Sequence, residues 1–579
     1  MFVHYNRRAE LSGHVLYTLE QIHRLFDTIF FISNSPLTGH QQELIRPFVR
    51  RIILRDNLGY DFCAWKDGML EAGWSHLESY DSLTLMNDSC FGPLFDLEPY
   101  YQQMEEHGHS FWGLTRHRAC RPRIGSKRYR IPSHLQSNFI VFRQPVMKSN
   151  VFKTFWEEVT PQQDIWGVIL RYEIRLTGIL TQAGFTCGDL FDSEREYTVN
   201  PNAAHYYPSL LIQRKIPFIK IRSLLLAQHP QEIVDHVRMH NSHLADLIEA
   251  HVTRQCRPDI SLRTVNKTLP VSTTAVQVTP HSGRTAIHLD VQDPEYVQTW
   301  LDSLPQVAAI GQPCDIFITA PTFTDCAYIK NQINERRAGH RIPVCQPAQS
   351  AQHPWTQYAE QWPRYNWVGY FRIAQALSPD QPNRLVQHEL LAPCLLGGMA
   401  QILEDMERHP EVGIVISDEP TCTGWPDRPQ DGPNTFDQLT DWITQLQRRT
   451  LLQLDANDWV LTPYATCMWY RPTALEPLTR LLLSETWQRS INRSTETQRA
   501  LALLPVYMAW AQGYDYRIAA LSRRLQTNMF TQVVRHEGQQ LLREYMMATY
   551  PWKIVKCLVP LVNRCKSFLR TPAKHNAPP

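Results

Sequence analysis

The residues that invite a chemical reading are Asn87-Asp88-Ser89. An apolar run with Leu83, Leu85 and Met86 stops there, and Gly92-Pro93 breaks the chain just beyond. A buried strand of a parallel sheet reads this way when it ends in a polar loop. Open α/β sheets bind ligands beyond the carboxyl ends of their strands. A carboxylate flanked by an amide and a hydroxyl suits a divalent cation, Mg²⁺ or Mn²⁺, that holds a phosphate. The plain alternative is a turn, which Asn, Asp and Ser also favour. A second acid lies in a helical stretch over residues 164–185, where Val168, Ile169, Tyr172, Leu176, Ile179 and Leu180 make an apolar stripe. Glu173 sits at the margin of that stripe, eleven residues before Gly184. A carboxylate so placed is a candidate catalytic acid or base, able to take a proton from a reacting hydroxyl. Its alternative is an ion pair with Arg171 or Arg175 on a wet helix face.

The elements that must position these acids precede them. Strands are predicted over residues 2–5, 27–32 and 51–55, with helices over 11–26, 41–51 and 62–80. The order β-α-β-α-β-α-β with short connections implies a parallel sheet with right-handed crossovers. Four strand ends then converge on one edge, at Tyr5, Asn34, Asn57 and Asp88.

Composition narrows the classes. The 579 residues are enough for two to four domains, and a net charge of +2 gives no basic field for nucleic acid. Thirteen cysteines without a C-x-x-C pair read as reduced thiols of a cytoplasm-like compartment. Neither a signal peptide nor a run of about 18 apolar residues is expected. The expected location is cytoplasmic, with the inner face of the plasma membrane as a peripheral site.

The pattern resembles the nucleotide-binding half of GT-A glycosyltransferases. Asn57-Leu58-Gly59 takes the place of the N-x-G segment heading a helix, and Asn87-Asp88-Ser89 that of the acidic metal loop, with one carboxylate where D-x-D has two. A second resemblance covers most of the first half, to the rhamnan synthesis protein F family of polysaccharide-building glycosyltransferases. It is carried by His4-Tyr5, Ser33-Asn34-Ser35, the stretch from Asn57 to Lys66, that from Met86 to Pro93, and Phe111-Trp112-Gly113-Leu114-Thr115. Leu135-Gln136-Ser137-Asn138-Phe139, Tyr172-Glu173-Ile174 and Pro217-Phe218-Ile219-Lys220 extend it. Glu173, with Ala183-Gly184 after it, also resembles the base Asp of family-2 glycosyltransferases. The resemblance implies a nucleotide-diphospho-sugar held by His4, Tyr5, Asn34, Asn57, Gly59, Asp61, Asn87, Ser89 and Lys220, with a cation at Asp88. It implies an acceptor near Gln136 and Ser137. The six Arg and Lys residues of 118–130 suit a lipid-linked diphosphate acceptor, or are simply a wet loop.

Residues 1–255 are thus expected to form a catalytic GT-A-like domain and 256–284 a linker. Residues 285–530 read as a worn second copy. Thr285-Ala286-Ile287-His288-Leu289 echoes Phe2-Val3-His4-Tyr5, residues 314–319 echo 27–32, and Met468-Trp469-Tyr470-Arg471-Pro472 echoes 140–145. The polar motifs lapse there: no N-D pair appears where Asn87-Asp88 would fall, near 371–375, and Ala502 lies eleven residues before Gly513. An unrelated site at His388-Glu389 is the alternative to inactivity. Residues 531–579 form a basic tail, with Lys553, Lys556, Arg564, Lys566, Arg570 and Lys574 among apolar residues, suited to an anionic membrane surface. The expected activity is transfer of a sugar, L-rhamnose by the resemblance, to a rhamnan, O-antigen or capsule type polysaccharide. A non-catalytic glycan-binding or assembly subunit is the alternative.

Overall fold

Short apolar strands set up the first half: β1 (Phe2–His4), β2 (Phe30–Ser33), β3 (Arg51–Leu54) and β4 (Ser82–Asn87). The computed structural model describes residues 1–520 except 125–126, 192–195, 197, 228, 273–282, 306–312, 337–338, 349–354, 356, 374–391, 393, 418–421, 425–458, 462–466 and 484–503. Further strands are β5 (Cys90–Phe91), β6 (Phe111–His117), β7 (His134–Leu135), β8 (Phe139–Arg143), β9 (Cys187–Phe191) and β10 (Ile219–Lys220). The sheet runs β9-β6-β8-β4-β1-β2-β3, with β7 on β6. Strands β4, β1, β2 and β3 are mutually parallel, as expected, and β8 lies antiparallel between β4 and β6.

Both faces of this sheet are covered, which is why runs such as Phe30-Phe31-Ile32 are unbroken apolar. Helix α1 (Gly13–Ile22) buries Val15, Leu19 and Ile22 on one face, beside Phe2, Phe31 and Met86. On the other, α3 (Tyr60–Ala72) buries Phe62, Trp65 and Met69 beside Val3, Ile32 and Leu85. Between them, α2 (Gly39–Ile45) starts at a Thr38–Gln41 capping box. The helix predicted over 62–80 is broken at Gly73, and a short turn of helix at Trp74–Leu77 follows.

A second unit begins at Glu249, after a first that includes Met1–Ile248. The strands of its main sheet are β11 (Thr268–Pro270), β12 (Thr285–Val291), β13 (Asp315–Ala320), β14 (Arg341–Pro347), β15 (Trp367–Ile373), β16 (Val412–Ser417), β17 (Met468–Tyr470) and β18 (Asp515–Ala520). They run β11-β18-β16-β17-β15-β12-β13-β14. Apart from β11 here and β7 in the first sheet, the two match strand for strand, including the antiparallel β17 between β15 and β16. The chain is therefore a mixed α/β protein with two parallel-rich sheet domains. Within the span expected as a linker, Pro258–Thr264 is helical, and β11 is an edge strand, a position that tolerates Pro270.

Matching details fix the register of the repeat. Arg143 Nη2 donates to the Met104 carbonyl and Arg471 Nη2 to the Met406 carbonyl. Gly184 and Gly513, at φ 92° and 94°, precede β9 and β18. Phe2 pairs with Phe31 and Met86, and Leu289 with Ile318 and Phe371. Phe2 thus corresponds to Leu289, which corrects the expected echo at residues 285–289. The two histidines had suggested a different alignment, but β12 has seven residues against three in β1, and His288 falls earlier on the longer strand. In the true register His4, Ser33 and Asp88 correspond to Val291, Ala320 and Ile373. His388, Glu389, Ala502 and the whole 531–579 tail lie outside the described residues.

Candidate active site

Because β1 and β4 are neighbours, the residues that follow them meet. The Tyr5 backbone N–H donates to Asp88 Oδ2 at 2.9 Å, while the Tyr5 side chain remains 42% exposed at the rim. His4 is buried, with Nδ1 2.9 Å from Ser33 Oγ and Nε2 4.0 Å from Asp88 Oδ2. Burial pushes the His4 imidazole down to about 4, a backbone contact with Glu10 opposing, so the ring is neutral at physiological pH.

The N-x-G stretch works through backbone shape. Gly59 caps α3 at φ 73°, in the left-handed region. A Cβ there would fall 2.1 Å from Cys63 Sγ and 3.0 Å from the Pro161 Cα. Tyr60 follows at φ 56°, a strained value for a bulky residue. The turn sets Asp61 in the first turn of α3, where a helix N-terminus favours an acid. Asp61 Oδ2 accepts from Asn87 Nδ2 at 2.8 Å, tying this loop to the end of β4. Asn57 is half-buried.

Arg55, which the sequence did not single out, braces the rim. It donates to Asn34 Oδ1 at 2.6 Å, to the Leu58 carbonyl at 2.8 Å and to Asp67 at 2.7 Å. Asn34 is thereby fixed at the end of β2, its Nδ2 buried without a partner.

From the far side comes Lys220. Strand β10 pairs antiparallel with β5, setting Lys220 opposite Cys90. Lys220 Nζ donates to Ser89 Oγ at 2.8 Å, and Ser89 Oγ donates to Asn87 Oδ1. The approach needs Gly92, since a Cβ there would lie 2.6 Å from the Pro217 carbonyl oxygen. The loop thus gathers Asp61, Asn87, Asp88, Ser89 and Lys220. Burial pushes Asp61 up, and it pushes Asp88 up to about 8, with Asp61 adding to the rise and Tyr5 N–H and Lys220 opposing it.

Glu173 reaches the same neighbourhood on a helix less regular than predicted. Ile165–Val168 is α-helical, Ile169–Glu173 is a π-helical turn, and Ile174–Gln182 is α-helical again. Single π turns inside helices are frequent at functional sites, and periodicity does not reveal them. Glu173 Oε1 accepts from the Ser137 N–H at 3.3 Å. Among the described residues it makes no ion pair with Arg171 or Arg175. Its charge acts on Asp61, which places the two acids within electrostatic reach. Gln136 is committed elsewhere, accepting from Thr115 Oγ1 at 2.8 Å and donating to Asn202 at 3.2 Å. Its amide is therefore bonded at both ends within the chain. Arg118 of the basic segment turns to the Thr198 and Asn200 carbonyls.

No group of three or more His, Cys, Asp or Glu side chains at metal-ligand spacing occurs among the described residues. The donor set still fits a divalent cation in one form. Asp88 is a half-buried carboxylate that burial makes eager for a positive charge, and the buried His4 Nε2 beside it has no hydrogen-bond partner. Mg²⁺ and its relatives are commonly held by one or two protein groups together with substrate phosphates and water.

Known proteins bear on this arrangement. The family described as rhamnan synthesis protein F matches residues 29–514. The chain belongs to the rhamnan synthesis protein F family. In this family member the matched span takes in every rim residue from Asn34 to Lys220 and most of the second sheet, while His4 and Tyr5 precede it. An uncharacterised protein of Sinorhizobium fredii (strain NBRC 101917 / NGR234), y4gN, is 27% identical over 170 residues, 29% of this chain and 41% of its own length. Solved structures with some likeness include core-mannan synthase A of Aspergillus fumigatus in its Mn/GDP form, at 9% identity over 33% of this chain and 70% of that one, with a TM-score of 0.20. Residues 1–349 of S. aureus TarS give 13%, 46%, 67% and 0.21 on the same measures. The glycosyltransferase GlyE of Streptococcus pneumoniae TIGR4 gives 9%, 67%, 88% and 0.22. Scores this low carry no argument about function. Among the described residues no helix is long and apolar enough to cross a membrane.

Proposed function

We propose that this chain is a glycosyltransferase that moves a sugar from a nucleotide-diphospho-sugar to a growing cell-surface polysaccharide. L-rhamnose from dTDP-rhamnose, and a rhamnan, O-antigen or capsule type product, are the donor and product that the family suggests. The observation that carries the reading is the meeting of Asp61, Asn87, Asp88, Ser89 and Lys220 at one rim of the first sheet, with Glu173 near enough for its charge to act on Asp61.

In this reading the donor lies along the rim from Tyr5 and Asn34 to the 57–61 turn. The Lys220 ammonium meets the diphosphate, and fixed charge of this kind stabilises negative charge as it develops on the leaving group. A divalent cation, held by Asp88, would add Lewis-acid neutralisation of the same diphosphate. Glu173 takes the proton of the acceptor hydroxyl, which attacks the anomeric carbon in line and inverts it. Ser137 N–H holds the Glu173 carboxylate toward the acceptor side.

The second domain, with Ile373 in the place of Asp88, is proposed to keep the fold without transfer activity, serving acceptor holding or assembly. Contact of the basic tail with the inner face of the plasma membrane, and a lipid-linked acceptor, belong to the same proposal and rest on the sequence. The test is release of nucleoside diphosphate from a panel of sugar nucleotides by wild-type protein and by Asp88→Asn. Equal release by the two, with the donor pocket intact, would remove the first sheet as the site of transfer.

A further inference from the structure

The His4 ring is 1% exposed and is held along one edge. Ser33 Oγ lies 2.9 Å from its Nδ1, and that hydroxyl already donates to the Ser35 carbonyl at 2.7 Å. A hydroxyl has a single hydrogen to give, so Ser33 Oγ accepts from the ring. Nδ1 therefore carries the proton, and Nε2 presents a lone pair. Nε2 is buried without a hydrogen-bond partner, 4.0 Å from Asp88 Oδ2. Two acceptors that face each other across such a gap need a cation or a proton between them.

The second domain serves as an internal control. There the counterparts of His4, Ser33 and Asp88 are Val291, Ala320 and Ile373, which are 1%, 0% and 0% exposed. The sheet keeps its strand order without any of the three. Building the fold does not require them, and they are lost as a set.

We propose that His4 Nε2 and Asp88 form a mixed nitrogen–oxygen seat for a divalent cation, with Ser33 as the positioning residue that fixes the imidazole tautomer. This deepens the donor-site reading above and rests on it. The imidazole ligand makes the seat prefer Mn²⁺ and Co²⁺ to Mg²⁺, which favours oxygen ligands. Hydrogen bonds that orient a metal-binding histidine commonly matter 10- to 100-fold for affinity.

The full chain is titrated with Mn²⁺, with and without dTDP, and the bound ion is read by electron spin-echo spectroscopy for coupling to a coordinated ¹⁴N. Wild-type protein is expected to show the coupling. His4→Asn, whose amide replaces Nδ1 and leaves nothing at Nε2, loses the coupling and binds Mn²⁺ at least about 10-fold more weakly. His4→Gln, whose amide reaches toward the Nε2 position, binds Mn²⁺ without imidazole coupling. Ser33→Ala, checked as folded by circular dichroism, weakens Mn²⁺ by about 10-fold. Bound Mn²⁺ without ¹⁴N coupling, unchanged affinity in His4→Asn, or no Mn²⁺ binding at all would overturn the seat and leave a pair that shares a proton. None of these readings needs turnover. A panel with no accepted sugar nucleotide would sink the transferase reading and not the seat, whereas an active enzyme lacking the ¹⁴N signal would sink the seat alone.

Discussion

Asp88→Asn separates what this side chain costs the fold from what it does for chemistry. Burial raises the Asp88 carboxyl from 3.8 to about 8. Between about pH 4 and pH 8 the folded chain therefore holds a proton that the unfolded chain has released. Stability from this group falls as pH rises through that window, because the folded state binds more protons than the unfolded one. At about 1.4 kcal/mol per tenfold change in proton affinity, the full span would be about 6 kcal/mol. Water around a side chain that keeps 18% exposure reduces that to about 1–3 kcal/mol. For a unit of this size that is about 3–10 °C in Tm. Scanning fluorimetry in EDTA is expected to find Asp88→Asn melting above wild type by that margin at pH 8, with the gap closing by pH 4. Mn²⁺ should then raise the wild-type Tm and leave the variant unmoved. A gap of equal size at both pH values, or an Asn variant less stable at pH 8, would refute the account of a carboxylate held at a cost.

Other substitutions test other parts. Glu173→Gln keeps the Ser137 contact sterically and removes the base, so kcat should fall about 10²–10⁴-fold with donor affinity unchanged, as read by steady-state kinetics and thermal shift. Lys220→Met should weaken donor binding at least tenfold while leaving the Tm within about 2 °C; calorimetry with the accepted sugar nucleotide checks it. Gly59→Ala forces a Cβ to within 2.1 Å of Cys63 Sγ at a left-handed φ, so it should cost about 1–3 kcal/mol in urea melts. The same change at Gly39, where nothing lies within 4 Å, should be close to neutral or mildly stabilising.

The first sheet was legible because its strands are buried on both faces. Runs such as Phe30-Phe31-Ile32 are then apolar throughout, and the polar residues after them mark the strand ends. Asn57-Leu58-Gly59 and Asn87-Asp88-Ser89 announced themselves by the same contrast. Arg55 did not, because one arginine after an edge strand carries no signal of the three partners it finds in the fold. The π turn at Ile169–Glu173 was hidden since apolar spacing cannot distinguish one wide turn from regular helix. Gln136 gave no sign in the sequence that its amide is satisfied at both ends, by Thr115 and Asn202. The repeat was visible in its strands, yet its register was not. Two histidines that seemed to correspond belong to different positions, and only the ladder pairings and the Arg143 and Arg471 anchors align Asp88 with Ile373.

An activated sugar is proposed to bind and react at the rim formed by Tyr5, Asp61, Asp88, Glu173 and Lys220. The most direct test is nucleoside diphosphate release from dTDP-rhamnose and a panel of other sugar nucleotides, measured on wild-type, Asp88→Asn and Glu173→Gln proteins. The account predicts release from at least one donor by wild type, abolished in Asp88→Asn and strongly slowed in Glu173→Gln. Release undiminished in both variants, or no donor in the panel bound or turned over, would contradict it.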